Sequence, residues 1–430
     1  MKPINLINII RSVRAKGQPE WAFGDPRAVY LTYSGDPSTT MDVFSHADIR
    51  TGCTPKVFYR EKGERDWLEQ DGTTTIFPYS GEGFSQTERH VYRTILTGLS
   101  PGTEYEFCFV KNGGVIRYFR TIEENPDSIR VVYSGDLHIQ DKYRLMARTI
   151  ARERPDVIVI SGDWTYADGL ESRYDRWITF WDDWTEHIVD DGYMPPIVPG
   201  IGNHEVIGGY GGSIPEDAPY FYACFPEMEI AGGYRAFDFP DEILSIICLD
   251  TEHTNPEITG SDDQSVWLQD TLSERSNYKH VVGAYHVAGW PSVQQHTNSF
   301  RTRVRNWNAI FENAGNVRMV FEHHGHTYKR SVPLLNGEEH PDGIRYLGDG
   351  NWGMTDHRDV WNPNTTFYLE AAYGNIYKEG PDGPHPLDGQ DALYEERARH
   401  FWLVEYQPDK ANLKSINKNN EVFHEFEIEL

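Results

Sequence analysis

The stretch EHHGHTYKR, residues 322–330, places three histidines within four positions, directly after the apolar run VRMVF. A short apolar run of this kind indicates a buried strand, so the histidines lie where a strand leaves its sheet. Imidazole is the commonest metal ligand, but histidine also occurs as a hydrogen-bonded core residue or on a solvated surface. A His-x-His pair at a strand end favours metal binding, and the rest of the chain has to discriminate between these interpretations.

The chain that surrounds this stretch alternates apolar runs with segments of helical character. From about residue 129 onwards the apolar runs include IRVVYSGD, DVIVISGD, ILSIICLDTE and HVVGAYH, and helix-like segments such as KYRLMARTIARERP lie between them. Continuous apolar runs are typical of strands that are buried between layers of helices. The pattern therefore predicts an α/β domain.

The first quarter of the chain has a different pattern. Between about residues 27 and 123, short alternating runs such as AVYLTYSG, KVFYRE and TEYEFCFVKN are separated by turn residues, which predicts an antiparallel β-sandwich. The stretch LTGLSPGTEYEF resembles the corner of fibronectin type III-like domains at Leu99, Pro101, Gly102 and Tyr105. We therefore predict an immunoglobulin- or fibronectin III-like domain over residues 1–124, followed by the α/β domain over residues 125–430.

The composition limits the possible partners. The 430-residue chain has a formal net charge of −26, which argues against nucleic acids and anionic membranes because both favour a basic surface. No apolar run approaches the ~18 residues of a membrane-spanning helix. The apolar stretch that ends at Arg11 is too short for a signal peptide, so we expect a cytoplasmic protein, or a secreted or periplasmic one whose leader was removed.

Polar residues with metal-binding side chains follow each of the predicted strands in the α/β part. They occur in SGDLHI (134–139), SGDWTYADG (161–169) and GNHE (202–205), at the end of VVGAYH and in the histidine-rich stretch. Ligands of an open α/β sheet gather outside the carboxyl ends of its strands. We therefore expect these side chains to converge: Asp136, His138, Asp163, Tyr166, Asn203, His204, His286, His324 and His326.

The chemistry of this set indicates metal ions. Carboxylate and amide oxygens mixed with imidazole nitrogens suit iron, manganese or zinc better than calcium or a thiolate site. The set is too large for one ion and large enough for two. Two cations about 4 Å apart can bind the attacking and leaving oxygens of an in-line displacement at phosphorus.

The order of these residues resembles that of a known family, the calcineurin-like metallophosphoesterases, and in detail its purple acid phosphatase branch. The segment GDWTYAD matches Gly-Asp-x-x-Tyr-Ala-Asp, GNHE matches outright, and HHGHTYKR is similar to Gly-His-x-His-x-Tyr-x-Arg, with His323 in place of the glycine. His296 follows His286 by ten residues, as a second active-site histidine does in that branch. The resemblance extends from about residue 27 to at least residue 335 and implies a metallophosphoesterase fold, a β-sandwich core flanked by helices.

The resemblance also implies roles for individual residues. It implies one metal site formed by Asp136, Tyr166 and His326. It implies a second site formed by Asn203, His286 and His324, with Asp163 between the two ions. The expected ions are Fe(III), bound by the tyrosine, and a divalent zinc, manganese or iron ion. His204 and His296 are expected near the phosphate and the leaving group as catalytic residues.

His138 departs from the pattern of the purple acid phosphatases. That branch generally lacks a histidine in its first motif and uses the tyrosine, whereas the wider family has Asp-x-His there and no tyrosine. This chain has both His138 and Tyr166, so either residue, or both, can bind the first ion. We favour Tyr166, because GDWTYADG matches its motif over more positions than GDLH does.

The sequence thus predicts a binuclear metal-dependent hydrolase in which a metal-bound hydroxide attacks the phosphorus of a small-molecule phosphate ester. Phosphomonoester hydrolysis is the favoured reaction, and phosphodiester hydrolysis of the general calcineurin-like type is the alternative. A metal-stabilised binding or adhesion module without catalysis is the alternative from another class of protein. The natural substrate, the pH optimum and the oligomeric state are not indicated by the sequence.

Overall fold

The computed structural model describes residues 26, 28–48, 56–78, 89–111, 113–139, 141–293, 299–348, 352–354, 368–373, 377–380, 383–386 and 399–430. The strands, in chain order, are β1 (Ala28–Thr32), β2 (Thr40–Asp48), β3 (Lys56–Glu61), β4 (Leu68–Asp71), β5 (Thr73–Ile76), β6 (Arg89–Thr97), β7 (Glu104–Cys108), β8 (Arg117–Arg120), β9 (Ile129–Ser134), β10 (Val157–Ser161), β11 (Ile197–Gly200), β12 (Arg235–Asp238), β13 (Leu244–Cys248), β14 (His280–Val287), β15 (Val317–His323), β16 (Tyr328–Ser331), β17 (Leu334–Leu335), β18 (Glu338–Glu339), β19 (Arg345–Gly348), β20 (Leu369–Tyr373), β21 (Tyr377–Gly380), β22 (Gly383–Pro386), β23 (His400–Tyr406), β24 (Lys410–Asn417) and β25 (Val422–Glu429). The α-helices are α1 (Asp141–Glu153), α2 (Tyr174–His187), α3 (Pro219–Cys224), α4 (Pro226–Ile230), α5 (Asp263–Glu274), α6 (Ser299–Val304) and α7 (Asn308–Ala314).

The larger sheet contains ten strands in the order β25-β24-β23-β9-β10-β11-β1-β2-β6-β5. Its middle strands β9, β10 and β11 are parallel, and all five residues of β10 are buried. The sequence VIVIS of β10 suits a strand that is covered on both faces, because β-branched side chains pack well on a pleated surface. These strands form the α/β part that the alternating apolar runs predict.

The second sheet contains seven strands in the order β12-β13-β14-β15-β19-β16-β20, of which β13, β14, β15 and β19 are parallel. The two sheets meet at a common hydrophobic core. There Tyr133 of β9 stacks on Phe321 of β15 with ring centroids 3.8 Å apart. The packing aligns the carboxyl ends of β9 and β10 with those of β14 and β15, and this edge carries the candidate ligands.

The all-β N-terminal part shares its main sheet with the α/β part. β1 runs antiparallel to β2 and parallel to β11, where Thr32 pairs with Ile197. Strands β4, β3, β7 and β8 form a separate four-stranded sheet. The sequence gives no sign of the β1–β11 pairing. The predicted domain boundary at residues 124/125 falls between β8 and β9 and stays a prediction.

Helix α2 packs the N-terminal part onto the α/β part. Trp177, Trp181 and Trp184 recur at helical spacing and are fully buried, as an inward-facing helix stripe requires. The Trp181 ring stacks on Tyr30 of β1 at a centroid distance of 3.9 Å, and its indole N–H donates to Cys224 Sγ at 3.2 Å. Each buried tryptophan removes about 150–250 Å² from water, so this contact contributes strongly to the joint between the two parts.

The predicted fibronectin-like corner forms at the start of β7. The Ser100 backbone N–H donates to the Tyr105 hydroxyl at 2.8 Å, which is the bonding of a tyrosine corner. Such corners occur in several sandwich families, so the fibronectin type III assignment stays a prediction.

None of the helices within the described ranges has the length and apolar character needed to cross a bilayer.

Candidate metal centre

The loops after five strands bring most of the predicted ligands to one place. Asp136 follows β9, Asp163 follows β10, and a 3-10 turn over Asn203–Glu205 follows β11. His286 lies near the end of β14, and His324 and His326 follow β15. Several of these residues adopt the left-handed backbone conformation, in which non-glycine residues are uncommon: Asp136, His138, Asp163, Tyr166, His324 and His326. Backbone strain of this kind concentrates at functional sites, because the surrounding structure must enforce it.

The first group of polar atoms contains Asp136, Tyr166 and His326. The Tyr166 hydroxyl donates to Asp136 Oδ1 at 3.2 Å and lies 3.1 Å from His326 Nε2. His326 Nε2 lies 2.9 Å from the same carboxylate oxygen. All three side chains are buried, so their polar atoms face one another away from bulk water. The structure thus brings together the three residues predicted for the first metal site.

The second group contains Asn203, His286 and His324. His286 Nε2 lies 3.1 Å from Asn203 Oδ1 and 3.3 Å from His324 Nδ1. His286 Nδ1 donates to the Ser161 carbonyl at 2.9 Å, so the ring presents a lone pair at Nε2 when neutral. An amide oxygen and imidazole nitrogens that converge in this way repel one another unless a cation or a proton lies between them.

Asp163 belongs to both groups. Its carboxylate lies within 4.8 Å of ligand atoms of His286 and His324, and also within 4.8 Å of ligand atoms of Asp136 and His326. His286 Nε2 approaches Asp163 Oδ1 to 3.2 Å. The arrangement therefore has two sets of ligand atoms with one shared carboxylate, which is the geometry that a pair of cations requires.

The electrostatic field at this centre favours positive charge. Burial alone lowers the pKa of His286, but the Asp163 carboxylate outweighs that effect and raises the pKa to about 9. Burial alone would raise the pKa of Asp163, but the neighbouring His286 and His204 hold this pKa well below its usual range. The donor set of carboxylates, a phenol, an amide and imidazoles fits iron, zinc or manganese, and its buried position fits ions held without much water.

His204 lies at the edge of the centre. Its backbone N–H donates to Asp163 Oδ1 at 2.9 Å, and its ring packs against Tyr166 with centroids 4.2 Å apart. His204 Nδ1 lies 2.5 Å from Asp168 Oδ1, and Nε2 lies 3.9 Å from Asp163 Oδ2. The Asp168 contact thus fixes the ring and leaves Nε2 directed to the centre.

Asp168 and Glu205 are residues that sequence reasoning missed. Asp168 ends the segment GDWTYAD, so the signal for its importance was present in the motif that identified Tyr166. Glu205, the last residue of GNHE, is fully buried and accepts the backbone N–H groups of Gly202, Asp163 and Trp164 at 2.9, 2.7 and 2.8 Å. Burial and the Asp163 carboxylate raise the pKa of Glu205 to about 8. Glu205 therefore ties the loop that carries Asp163 to the loop that carries Asn203.

Besides His204, two predicted site residues are not placed in either group. His138 Nε2 lies 3.1 Å from Arg176 Nη2, and its ring centroid lies 5.3 Å from that of Tyr166. Because a guanidinium only donates hydrogen bonds, His138 Nε2 accepts this one, and the lone pair that a metal would need is engaged. His296 lies outside the described residues, so its predicted role stays a prediction.

Two family models match the chain. Residues 26–122 match the model of the purple acid phosphatase N-terminal domain, and residues 129–330 match the model of the calcineurin-like phosphoesterase. No curated protein sequence matches the chain. The two matched segments follow the order that the sequence predicts, an all-β domain before a metallophosphoesterase domain.

Solved structures resemble the whole described fold. The purple acid phosphatase PPD1 from yellow lupin (Lupinus luteus) seeds superposes with a TM-score of 0.66 and 14% identity, over 93% of this chain and 74% of that one. PhoD superposes with a TM-score of 0.66 and 12% identity, over 97% of this chain and 92% of that one. At these identities the likeness concerns the fold, and it confirms the predicted metallophosphoesterase fold with an N-terminal all-β domain.

Proposed function

We propose a function for this chain on the premise that it is a purple acid phosphatase-like member of the calcineurin-like metallophosphoesterases, and therefore a phosphoric ester hydrolase. The proposed reaction is the hydrolysis of small-molecule phosphate monoesters. The observation that supports it best is the Asp163 carboxylate shared by two groups of ligand atoms. Such an arrangement suits two cations at the ~4 Å separation of two-metal phosphatase sites.

The ligand assignment is part of the proposal. Asp136, Tyr166 and His326 would hold the first ion, and Asn203, His286 and His324 would hold the second. Asp163 would be a ligand of both. Two anionic oxygens in the first set suit Fe(III), whereas the amide and imidazoles of the second set suit a divalent zinc, manganese or iron ion. When bound, two such ions supply a water-derived nucleophile near neutral pH and neutralise charge on the phosphoryl oxygens.

His204 is proposed to act at the leaving oxygen of the substrate. Its ring is fixed by Asp168 on one side and by contact with Tyr166, and Nε2 is directed to the centre. From there an imidazolium, which carries a proton on both nitrogens, can donate the Nε2 proton to the leaving oxygen or stabilise the charge that develops on it. Glu205 fixes the position of the Asp163 loop relative to the Asn203 loop, which makes it a positioning residue. The same role at the leaving group is proposed for His296 from the sequence.

The choice of monoester over diester rests on two supporting observations. The chain carries a purple acid phosphatase N-terminal domain, and Tyr166 lies in the first group, as that branch requires. His138, which would take the same place in the wider family, is engaged by Arg176 instead. Both observations favour the purple acid phosphatase branch as the guide to substrate class.

Turnover of two chromogenic esters tests the proposal. Metal-loaded full-length protein is assayed with 4-nitrophenyl phosphate and with bis(4-nitrophenyl) phosphate, with Asp163→Ala as the matched variant that lacks the shared carboxylate. We expect kcat/KM for the monoester to exceed that for the diester, and Asp163→Ala to lose both activities. A larger kcat/KM for the diester would show a phosphodiesterase. No turnover of either ester by protein that holds two ions would show a binding module.

A further inference from the structure

Arg176 is the third residue of helix α2, and its side chain is fixed beside the first ligand group. Its Nε donates to the Thr165 carbonyl at 2.5 Å, and its Nη2 donates to His138 Nε2 at 3.1 Å. Thr165 immediately precedes Tyr166 in the chain, and the His138 ring lies near the Tyr166 ring. The guanidinium is therefore held at a set position on the loop that carries the proposed iron ligand.

The positive charge of Arg176 has no ion-pair partner within the part of the chain that the structure describes. Neighbouring arginines differ: Arg173 pairs with Asp168, and Arg144 pairs with Asp183 at 2.9 Å. Burial and the nearby Arg173 lower the pKa of Arg176, which remains cationic because a guanidinium is not deprotonated in proteins. The charge of the nearby Asp175 acts in the opposite direction on this pKa, but Asp175 does not pair with the guanidinium. A half-buried cation without a paired counter-ion is costly.

The position of this cation is suited to a substrate. A phosphoryl group bound by cations at the two ligand groups would lie next to Tyr166, and the ring centroids of His138 and Tyr166 are 5.3 Å apart. A leaving group that extends past Tyr166 toward His138 therefore passes close to the guanidinium. The planar N–H donors of the Arg176 guanidinium match the oxygens of a phosphate or a carboxylate. Charge-assisted hydrogen bonds of this kind are among the strongest hydrogen bonds in proteins.

We propose that Arg176, positioned by His138, binds a second anionic group of the substrate, so that the enzyme prefers phosphate esters whose leaving group carries a further phosphate or carboxylate. The inference rests on the proposed function, since it concerns the substrate of the same centre. It also gives His138 a role: this residue holds the guanidinium in place of binding a metal ion.

Binding of three small phosphonates to the metal-loaded full chain tests the inference. The probes are methylphosphonate, which has one anionic group, and methylenebisphosphonate and phosphonoacetate, which add a second phosphonate or a carboxylate. Dissociation constants are measured by isothermal titration calorimetry in the wild type, in Arg176→Gln and Arg176→Lys, and in Arg144→Gln as a control arginine on helix α1. Because no turnover is needed, this result is separate from failure of the proposed hydrolysis.

We expect the dissociation constant for at least one of the two probes with two anionic groups, relative to methylphosphonate, to rise about tenfold to hundredfold in Arg176→Gln, as loss of a charge-assisted hydrogen bond predicts. Arg176→Lys should keep part of the difference, and Arg144→Gln should keep the wild-type ratio. The probe that responds identifies the second group as a phosphate or a carboxylate. An equal change for all three probes would show that Arg176 only balances the charge of the centre, and no change for any probe would also overturn the inference.

Discussion

Removal of the Asp168 carboxylate should slow the reaction without removing metal. Asp168 Oδ1 lies 2.5 Å from His204 Nδ1, and neither residue belongs to the two groups of ligand atoms. In Asp168→Ala the imidazole loses the contact that sets its orientation, while its backbone bond to Asp163 and its packing against Tyr166 remain. We therefore expect a lower kcat, a nearly unchanged KM and an unchanged metal content.

The size of this effect follows from the geometry. Loss of a general acid or base altogether costs about 10²–10⁴-fold in rate, which sets the upper limit for any change that acts through His204. The two side chains are 34% and 29% exposed, so solvent screens their interaction and replaces part of it. A decrease of about tenfold to hundredfold in kcat is expected for Asp168→Ala, in the steady-state hydrolysis of 4-nitrophenyl phosphate.

A double-mutant cycle identifies the route of the effect. If Asp168 acts only through His204, adding Asp168→Ala to His204→Ala should cause no further loss, because groups that act as a unit are not additive. Glu171→Ala, which removes an exposed acidic side chain three residues away, is the control and should keep the wild-type kcat. A multiplicative loss in the double variant, or loss of metal in Asp168→Ala alone, would refute the reasoning.

Two further predictions concern the first ligand group and the joint between the two parts of the chain. In iron-loaded protein, Tyr166→Phe should abolish the visible phenolate charge-transfer band, and His138→Ala should keep it. An absorption spectrum that shows the reverse would mean that His138 is the ligand. Trp181→Ala should lower the free energy of unfolding in urea by about 3–5 kcal/mol, because the ring is fully buried against Tyr30; a loss below about 1 kcal/mol would mean that this contact contributes little.

The convergence of the ligands could be predicted because it depends on a rule of sheet topology. Asp136, Asp163 and His286 each lie at or just after the carboxyl end of an apolar run, and buried parallel strands place those ends at one edge. The number and type of the candidate ligands then indicated two ions. No knowledge of side-chain orientation was needed for that step.

The features that could not be predicted from the sequence depend on side-chain orientation and on contacts between segments that are distant in the chain. His138 follows Asp136 by two residues, as a ligand would, but its position against Arg176 depends on a left-handed turn and on a helix almost forty residues away. The pairing of Thr32 with Ile197 is equally hidden, because the apolar run of β1 is the same whether its free edge meets solvent or another strand. Glu205 is recognisable only through its three backbone contacts.

The metal content of the protein tests the central claim most directly. Elemental analysis of full-length protein purified without chelator should find about two transition-metal ions per chain. Asp163→Ala should lose both, because its carboxylate is shared by the two groups of ligand atoms. Two ions in the wild type and none in Asp163→Ala is the result that the binuclear centre predicts. A wild-type protein without metal, or an Asp163→Ala variant that keeps both ions, would contradict it.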